Sequence, residues 1–344
     1  MRPGRAVGRR EALRITAAAG LGAAFGGPVA AVLLRDARLH RVRSTRIRLG
    51  TEVTITAIHR DEERARSMVD AGFREMERLD AMLSRYRPDS ALGRLNATGR
   101  LDAAPEELLE VLATARRIAR TSGRAFDPTI LPVLEVHGHA FLRRGSPPDE
   151  RSVQAALDLV DHESLRVEGR SVLLDDPRMG VTLDGIAKGF VVDRTVAALA
   201  ERGAERVLVD AGGDLASGGP ASVSDPWLVR VEGPEGSPRY DETVALAGDA
   251  VATSGDYMQS FTRDRRAHHI IDPRTGRSPR ESSSVSVTAP SAMLADAVST
   301  TVMVLGPGEG IGFLESTPGV EGRIVTKGGD RLRTAGFGAP LGGG

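Results

Sequence analysis

The chain has 344 residues, of which 40% are hydrophobic and 27% charged, the composition of a folded globular protein. Lys+Arg and Asp+Glu number 46 each and aromatic residues make up only 3%, so neither net charge nor base stacking favours nucleic-acid binding. There are no cysteines, which excludes disulfides, thiolate metal sites and cysteine nucleophiles.

The N-terminus carries the features of an export signal. Arg9 and Arg10 precede an apolar run, residues 15–34, that is rich in Ala and Gly and free of acidic residues. This pattern is typical of a twin-arginine signal, here residues 1–36. Gly26, Gly27 and Pro28 interrupt the run and make it a poor permanent span, although a short uncleaved anchor is the alternative. We therefore expect an exported protein, in the periplasm or on the outer face of the cytoplasmic membrane.

The hydrophobic pattern after the signal predicts one α+β domain over residues 44–335. Residues 45–58 alternate around a Gly50 break, as two short strands or one bent strand. Helices are predicted at 61–83, 106–120, 188–202 and 292–305. Further strands are predicted at 165–167, 172–174, 206–209, 227–231, 251–253, 268–271 and 284–289. Residues 138–150 are expected to form a surface loop, and 336–344 an unstructured Gly-rich tail.

A glycine-bearing turn leads into the predicted helix at 188–202. Its sequence, TLDGIAKGFVVD, spans residues 182–193 and places Lys188 in the first helical turn. Free N–H groups and a lysine suit a phosphate, and an anionic partner would resolve the conflict between Lys188 and the helix dipole. The alternative is a surface lysine on an ordinary turn. Only one other lysine occurs, Lys327, and chance survival explains it.

Two further clusters combine glycine with polar residues. Gly212 and Gly213 follow a predicted strand, which is either an ordinary tight turn or a place where a ligand approaches the backbone. The segment ATSGDY, residues 252–257, is followed by His268 and His269. A histidine there could hold a phosphate or transfer a proton, although a histidine on a strand is more often structural.

An acidic residue and a hydroxyl share one face of the apolar helix predicted at 292–305. Asp296 and Thr300 are four residues apart and therefore lie on the same side. Such hard oxygen ligands suit Mg²⁺, which also borrows substrate phosphate oxygens. The alternative is a buried Asp that is hydrogen-bonded to the backbone.

These clusters occur in an order that resembles the ApbE-like FAD:protein FMN transferase family. The match starts at the LGT of residues 49–51 and includes LSRYRPDS at 83–90, LN at 95–96 and AFDPT at 125–129. It continues through the four clusters above and HIIDPRTG at 269–276, and covers nearly everything to about residue 306. The resemblance implies a single compact two-lobed domain of the flavin transferase, T-fold-like type, with a flavin cleft between the lobes.

The resemblance also implies which residues bind FAD and Mg²⁺. The residues expected around the flavin and adenosine parts are Leu49, Ser84, Tyr86, Asn96, Ala125, Phe126 and Asp127. Those expected along the adenosine and pyrophosphate region are Lys188, Asp193, Gly213, Ser254, His269 and Ile270. The metal is expected on Asp296, Thr300 and a backbone carbonyl near Gly185. The chain departs from the family at Thr182, commonly Asp, and at Asp184, commonly small, which adds a carboxylate near the metal or shifts the loop register.

The implied activity is Mg²⁺-dependent transfer of FMN from FAD to a Ser or Thr hydroxyl of a target protein, with release of AMP. Lys188 would stabilise the phosphoryl charge, and His269 or Asp256 would act as base. The acceptor is expected to be a membrane-associated redox protein that carries a short Ser/Thr motif. The alternatives are a Mg²⁺-dependent FAD pyrophosphatase that yields FMN and AMP, or an exported flavin-binding carrier.

Overall fold

The computed structural model describes residues 39–220, 225–234 and 242–339. The predicted export signal, residues 1–36, lies outside these ranges, as do residues 340–344 of the predicted tail. The described chain combines seven helices with thirteen strands, which confirms the predicted α+β class.

The strands are β1 to β13 in chain order, and their bounds are His40–Arg48, Thr51–His59, Arg100–Leu101, Leu165–Glu168, Ser171–Leu174, Arg206–Ala211, Asp214–Gly218, Trp227–Val231, Glu242–Leu246, Ala250–Gly255, Ser282–Ala289, Glu321–Thr326 and Arg331–Arg333. The helices are α1 to α7, with bounds Glu62–Leu83, Ala91–Thr98, Glu106–Thr121, Leu131–Arg144, Glu150–Leu157, Ala187–Ala200 and Ala292–Ser316.

An eight-stranded antiparallel sheet organises the molecule, in the order β1-β2-β6-β7-β10-β11-β12-β13. Leu49 and Gly50 link β1 to β2 with φ of 52° and 74°, the left-handed values that a tight two-residue hairpin turn requires. One face of the sheet packs on α1, α6 and α7 and forms the main core. On the other face, a smaller apolar cluster joins the sheet to the β8–β9 hairpin, with Trp227 at its centre.

Local sequence explains how the core helices begin and end. Asp61 caps α1 by accepting the N–H groups of Glu63 and Arg64 at 2.9 and 3.0 Å. The helix α7 is kinked where Gly306 adopts a φ of 75° directly before Pro307. In the described part of the chain, α7 alone is long and apolar enough to cross a membrane by length and composition, but most of it is buried against β10, β11 and α6.

The predictions for individual segments agree with the structure except in three places. The structure also contains elements that were not predicted, namely α2, α5, β3, β7, β9, β12 and β13. The loop expected at 138–150 is wrong, because α4 runs on to Arg144 and ends at Gly145, which has a left-handed φ of 64°. His137 and Ala140 bury one face of this helix, and Gly138 is tolerated inside it. The strong helix breakers, Gly145 and the two prolines after it, belong only to the link that follows.

Two further predictions are wrong, a strand at 268–271 and an unstructured segment from residue 336. His268 and Asp272 form only isolated bridges, with Ser260 and Arg277. At the tail, Phe337 is only 4% exposed and belongs to the apolar cluster around Trp227. Burying the Phe337 ring contributes about 1.5–3 kcal/mol, which stabilises the start of this glycine-rich segment against the fold.

The crossing of α6 and α7 predicts opposite effects for two glycine substitutions. A Cβ at Gly189 would lie 2.2 Å from the backbone oxygen of Ala292, whereas a Cβ at Gly138 meets nothing within 4 Å. We expect Gly189→Ala to lower the free energy of unfolding by about 1–3 kcal/mol or more. Gly138→Ala should raise it by up to about 1 kcal/mol, because alanine is the better helix former. Urea unfolding of both variants tests this, and equal effects would contradict the close helix approach.

Candidate active site

The centre of the site lies where the start of α6 meets β7 and α7. Lys188 Nζ forms an ion pair with Asp214 Oδ2 at 3.0 Å, and Asp214 is only 1% exposed. The N–H group of Gly189 donates to Asp296 Oδ2 at 3.2 Å. The carboxyl groups of Asp214 and Asp296 also influence each other's pKa. Three strongly interacting ionisable groups are therefore gathered at one place.

Burial and mutual repulsion govern the protonation of this cluster. Burial raises the pKa of Asp296 well above its usual value, and the neighbouring Asp214 raises it further. Burial also raises the pKa of Asp214, against the opposing effect of Lys188. Burial alone would lower the pKa of Lys188, but the carboxylates of Asp214 and Asp296 outweigh that effect and raise it. The anionic partner expected for Lys188 is thus a residue of the protein itself, Asp214.

The other predicted metal residues adjoin this cluster. Ser254 Oγ lies 3.3 Å from Thr300 Oγ1 and 2.8 Å from Ser299 Oγ. Gly185 packs directly on Thr300, since a Cβ at Gly185 would lie 3.1 Å from Thr300 Oγ1. The loop before α6, strand β10 and helix α7 therefore bring Gly185, Ser254, Thr300 and Asp296 together.

The donor groups at this place fit a hard divalent cation. Asp296 is 5% exposed, and the positive partners close to its carboxyl group are one N–H group and the Lys188 charge that it shares with Asp214. A buried carboxylate so placed gains from a cation, and hydroxyl, carboxylate and carbonyl oxygens are the ligands that Mg²⁺ accepts. In the described part of the chain, no group of three or more His, Asp or Glu side chains is arranged to hold a metal. A cation here would therefore also need the hydroxyl and the backbone oxygen.

The two adjacent histidines have different surroundings. His268 is fully buried, and its Nε2 lies 3.0 Å from the carbonyl oxygen of Pro279. His269 is only partly buried, and its Nδ1 lies 3.2 Å from the carbonyl oxygen of Gln259. Because a carbonyl oxygen only accepts hydrogen bonds, Nδ1 of His269 carries the proton and Nε2 keeps its lone pair.

Burial is the main cause that lowers the pKa of His269 to about 4, followed by the adjacent His268. Two charges of the site also act on this pKa, Asp184 raising it and Lys188 lowering it. The ring of His269 therefore lies within electrostatic reach of the Lys188 cluster. It is neutral at pH 7.

Asp256, the other predicted base, has a different environment. It is 1% exposed, and its carboxylate lies 3.2 Å from Lys327 Nζ and 4.0 Å from an Arg265 nitrogen. Ser283 Oγ donates to it at 3.2 Å. Because the carboxylate oxygens of Asp256 are already occupied by two cations and a hydroxyl, His269 is the better candidate base.

Residues of the α1–α2 link face the turn before α6. Arg85 Nε donates to Asp184 Oδ2 at 2.7 Å, and Arg85 also lies over the Tyr86 ring at 4.1 Å. The Tyr86 hydroxyl lies 3.4 Å from Asp184, yet Tyr86 is 71% exposed. The additional carboxylate of this chain is thus paired with Arg85. A large exposed aromatic ring beside it offers a surface on which a planar ligand could stack.

Several other predicted ligand residues make structural contacts. Asn96 forms two hydrogen bonds with the backbone of Val181, at 2.8 and 2.7 Å. The carboxylate of Asp127 is filled by Thr129 and His162, with Thr129 Oγ1 at 2.6 Å and His162 Nδ1 at 3.2 Å. These side chains fix the segments that border the site, and contacts of Asn96 and Asp127 with FAD stay a prediction.

The remaining predicted residues are distributed around this frame. Asp193 accepts the N–H groups of Ala292 and Met293 at 2.7 and 2.9 Å and so caps α7. Burial raises the pKa of Asp193 to about 6. Positions that shape the frame through turns or apolar packing are Leu49 at the β1–β2 turn, Ser84 at the end of α1, Ala125 and Phe126 in the core, Gly213 in the β6–β7 turn and Ile270 beside His269.

Sequence reasoning named the Gly212-Gly213 turn but did not assign a role to the residue that follows it. The turn has φ values of 62° and 100°, and it starts β7 with Asp214, the partner of Lys188. An acidic residue at the head of the strand DLASG, whose first four residues are buried, was the available signal. The pairing of Arg85 with Asp184 carried no such signal, because the two residues are 99 positions apart.

Comparison with known proteins agrees with this architecture. The model of the ApbE family matches residues 49–324. A Vibrio cholerae protein named FAD:protein FMN transferase is 34% identical over 250 residues, 71% of this chain and 75% of its own. The Escherichia coli K12 protein of the same name is 31% identical over 287 residues, 80% of this chain and 81% of its own.

Solved structures give the same result at 28% identity. The flavin transferase ApbE from Vibrio cholerae superposes with a TM-score of 0.75, covering 87% of this chain and 98% of that one. An ApbE protein from Thermotoga maritima gives 0.78, covering 86% and 97%. The fold is that of a flavin-transferase-like α+β protein. The chain belongs to the ApbE family.

The histidine environments predict a distinct acid titration. Burial lowers the pKa of His268 and of His269 to about 4, whereas histidine in an unfolded chain titrates near 6.5. As the pH falls from 6.5 towards 4, the unfolded chain binds protons on these histidines before the folded protein does. Each histidine therefore lowers the free energy of unfolding, by at most about 1.4 kcal/mol per pH unit.

Imidazole NMR titration, assigned with His268→Gln and His269→Gln, measures these values directly. Urea unfolding between pH 6.5 and 4.5 should show a shallower pH dependence in His268→Gln. Midpoints near 6.5 for both rings would contradict the buried placement.

Proposed function

We propose that this protein is an exported, Mg²⁺-dependent enzyme that transfers FMN from FAD to a Ser or Thr hydroxyl of a target protein and releases AMP. The observation that carries the proposal is the cluster of buried Asp214 and Asp296 with half-buried Lys188 and Thr300, with neutral His269 within electrostatic reach. Relatives in the ApbE family are named FAD:protein FMN transferase, and this cluster supplies the charges that such a reaction requires.

Phosphoryl transfer depends mainly on positioning and electrostatic stabilisation. Asp296, Thr300 and the backbone at Gly185 would hold Mg²⁺, which when bound would neutralise charge on the pyrophosphate oxygens. Lys188, whose pKa is raised by its acidic neighbours, stays cationic and stabilises the same developing charge. The ion pair with Asp214 fixes the position of Lys188.

His269 is suited to accept the proton of the acceptor hydroxyl. The contact of its Nδ1 with Gln259 leaves the lone pair on Nε2, and the ring is neutral at pH 7. The acceptor oxygen attacks the phosphorus of the FMN half of FAD, and its proton passes to Nε2 of His269. The bond from this phosphorus to the bridging oxygen breaks, and that oxygen leaves with AMP. The products are an FMN phosphoester on the acceptor protein and AMP.

A pyrophosphatase would use the same groups with water in place of the protein hydroxyl and would release free FMN. A flavin carrier would not need the clustered acidic and hydroxyl ligands. The twin-arginine pattern of residues 1–36 supports a location outside the cytoplasm. A membrane-associated redox protein with a short Ser/Thr motif is the acceptor that we propose.

The direct test incubates the chain from about residue 35 with FAD, Mg²⁺ and an acceptor domain of a family type that bears a Thr. Covalent flavin is read as fluorescence of the acceptor on a denaturing gel. A fluorescent band that EDTA abolishes would support the transferase. Release of AMP and FMN without a band would identify a pyrophosphatase, and intact FAD would indicate a binding protein.

Two adjacent threonines of α7 provide a matched pair for the metal site. Thr300 faces Ser254 at 3.3 Å, whereas Thr301 Oγ1 donates to the backbone oxygen of Ala297 at 2.7 Å. We expect Thr300→Val to raise the Mg²⁺ concentration needed for half-maximal activity about 10-fold or more. Losing a residue that only supports a metal ligand already costs about this much. Thr301→Val should leave this concentration unchanged. Transfer rates over a Mg²⁺ titration measure the effect, and equal behaviour of the two variants would remove Thr300 from the site.

Replacing Asp296 by Ala should abolish transfer while the protein remains folded. The carboxyl group is buried beside Asp214, so its removal relieves the cost of a second buried acid. Thermal unfolding followed by circular dichroism checks the fold, and the gel assay checks transfer. Full activity of Asp296→Ala in Mg²⁺ would refute the metal assignment.

A further inference from the structure

His269 is carried by a hairpin-like segment in the long connection between β10 and β11. The N–H of His269 donates to the carbonyl of Gln259 at 3.0 Å, and the N–H of Phe261 donates to that of Ala267 at 2.8 Å. Ser260 and His268 form an isolated bridge between these two contacts. These contacts join the tip of the segment to His269.

Lys327, directly after β12, contacts the connection at three separate points. Its Nζ forms an ion pair with Asp256 Oδ2 at 3.2 Å, at the start of the connection. The same Nζ donates to the carbonyl of Arg265 at 2.8 Å, at the tip. The N–H of Lys327 donates to the carbonyl of Glu281 at 2.8 Å, at the end. One residue thus ties the start, the tip and the end together.

The two side-chain contacts are made to groups that need a partner. Asp256 is 1% exposed, and a buried carboxylate without a nearby cation is costly. Arg265 has a φ of 55°, a left-handed conformation that a non-glycine residue adopts only where its surroundings hold it. Lys327 compensates the buried charge of Asp256, and its hydrogen bond to the carbonyl of Arg265 helps to hold the left-handed backbone there.

We propose that Lys327 is a positioning residue that holds the hairpin-like segment, and with it His269, in place against the Lys188 cluster. The proposal rests on the proposed function only for its catalytic consequence. Lys327 lies beyond the residues 49–324 that match the family model, so its role is read from the contacts of this chain. It contacts neither the candidate metal ligands nor His269 directly, and it acts through Asp256 and the backbone of the connection.

The test compares Lys327→Met and Lys327→Arg with Arg333→Met in the chain from about residue 35. Arg333 lies on the neighbouring strand β13 and pairs with Glu242 at 2.7 Å, away from the segment. Limited trypsin digestion, read by mass spectrometry, reports cleavage after Arg263, Arg265 and Arg266 at the tip. Carbethoxylation of His269, read in the same way, reports its exposure. Neither readout depends on transfer activity.

We expect Lys327→Met to speed cleavage at the tip and modification of His269 by about 5-fold or more, while Arg333→Met matches the wild type and Lys327→Arg is intermediate. In the transfer assay, Lys327→Met should lower kcat about 10- to 100-fold with a KM for FAD within about 3-fold, because misplacing a base affects the chemical step.

Unchanged cleavage and modification in Lys327→Met would overturn the proposal. A rise in KM for FAD at constant kcat would also overturn it, because Lys327 would then act on FAD binding. If the wild-type chain transfers no FMN, the proposed function fails, whereas digestion and modification still decide whether Lys327 holds the segment.

Discussion

The ion pair between Lys188 and Asp214, extended by Asp296, is the contact on which the rest of the site depends. It joins the start of α6, the start of β7 and the first half of α7, three elements that are far apart in the chain. Two buried carboxyl groups with one cation between them leave an excess of negative character. That excess would favour a hard cation at this place.

The sheet and the helices hold this cluster with close backbone packing. Gly189 allows α6 to approach α7 closely enough for its own N–H to reach Asp296. Asp193 caps α7 from within α6, so the relative position of the two helices is fixed twice. The Gly212-Gly213 turn sets where β7 begins and therefore where the carboxylate of Asp214 stands. Side chains that the family resemblance places around FAD, such as Asn96 and Asp127, support the frame in this chain.

The connection between β10 and β11 is the part of the site with the least regular structure. It presents His269 through a short hairpin-like segment that is hydrogen-bonded within itself and contacts the rest of the protein on two sides. The stack of Phe141 on Phe261, with ring centroids 4.9 Å apart, anchors one side of this segment to α4. Lys327 anchors the other side. The irregular segment that carries His269 is thereby held between α4 and Lys327.

Sequence periodicity determined most of the helices and strands, the α+β class and the order of the motifs, because hydrophobic spacing and capping residues act locally. It also determined which residue types were available, including Asp296 with Thr300 on one face of α7. Only the tertiary structure decided that the charges of Asp184 and Lys188 act on His269, that Lys188 pairs with Asp214, and that Lys327 contacts the connection near His269. Those choices depend on contacts between residues tens of positions apart, and no local pattern encodes which buried charges will meet.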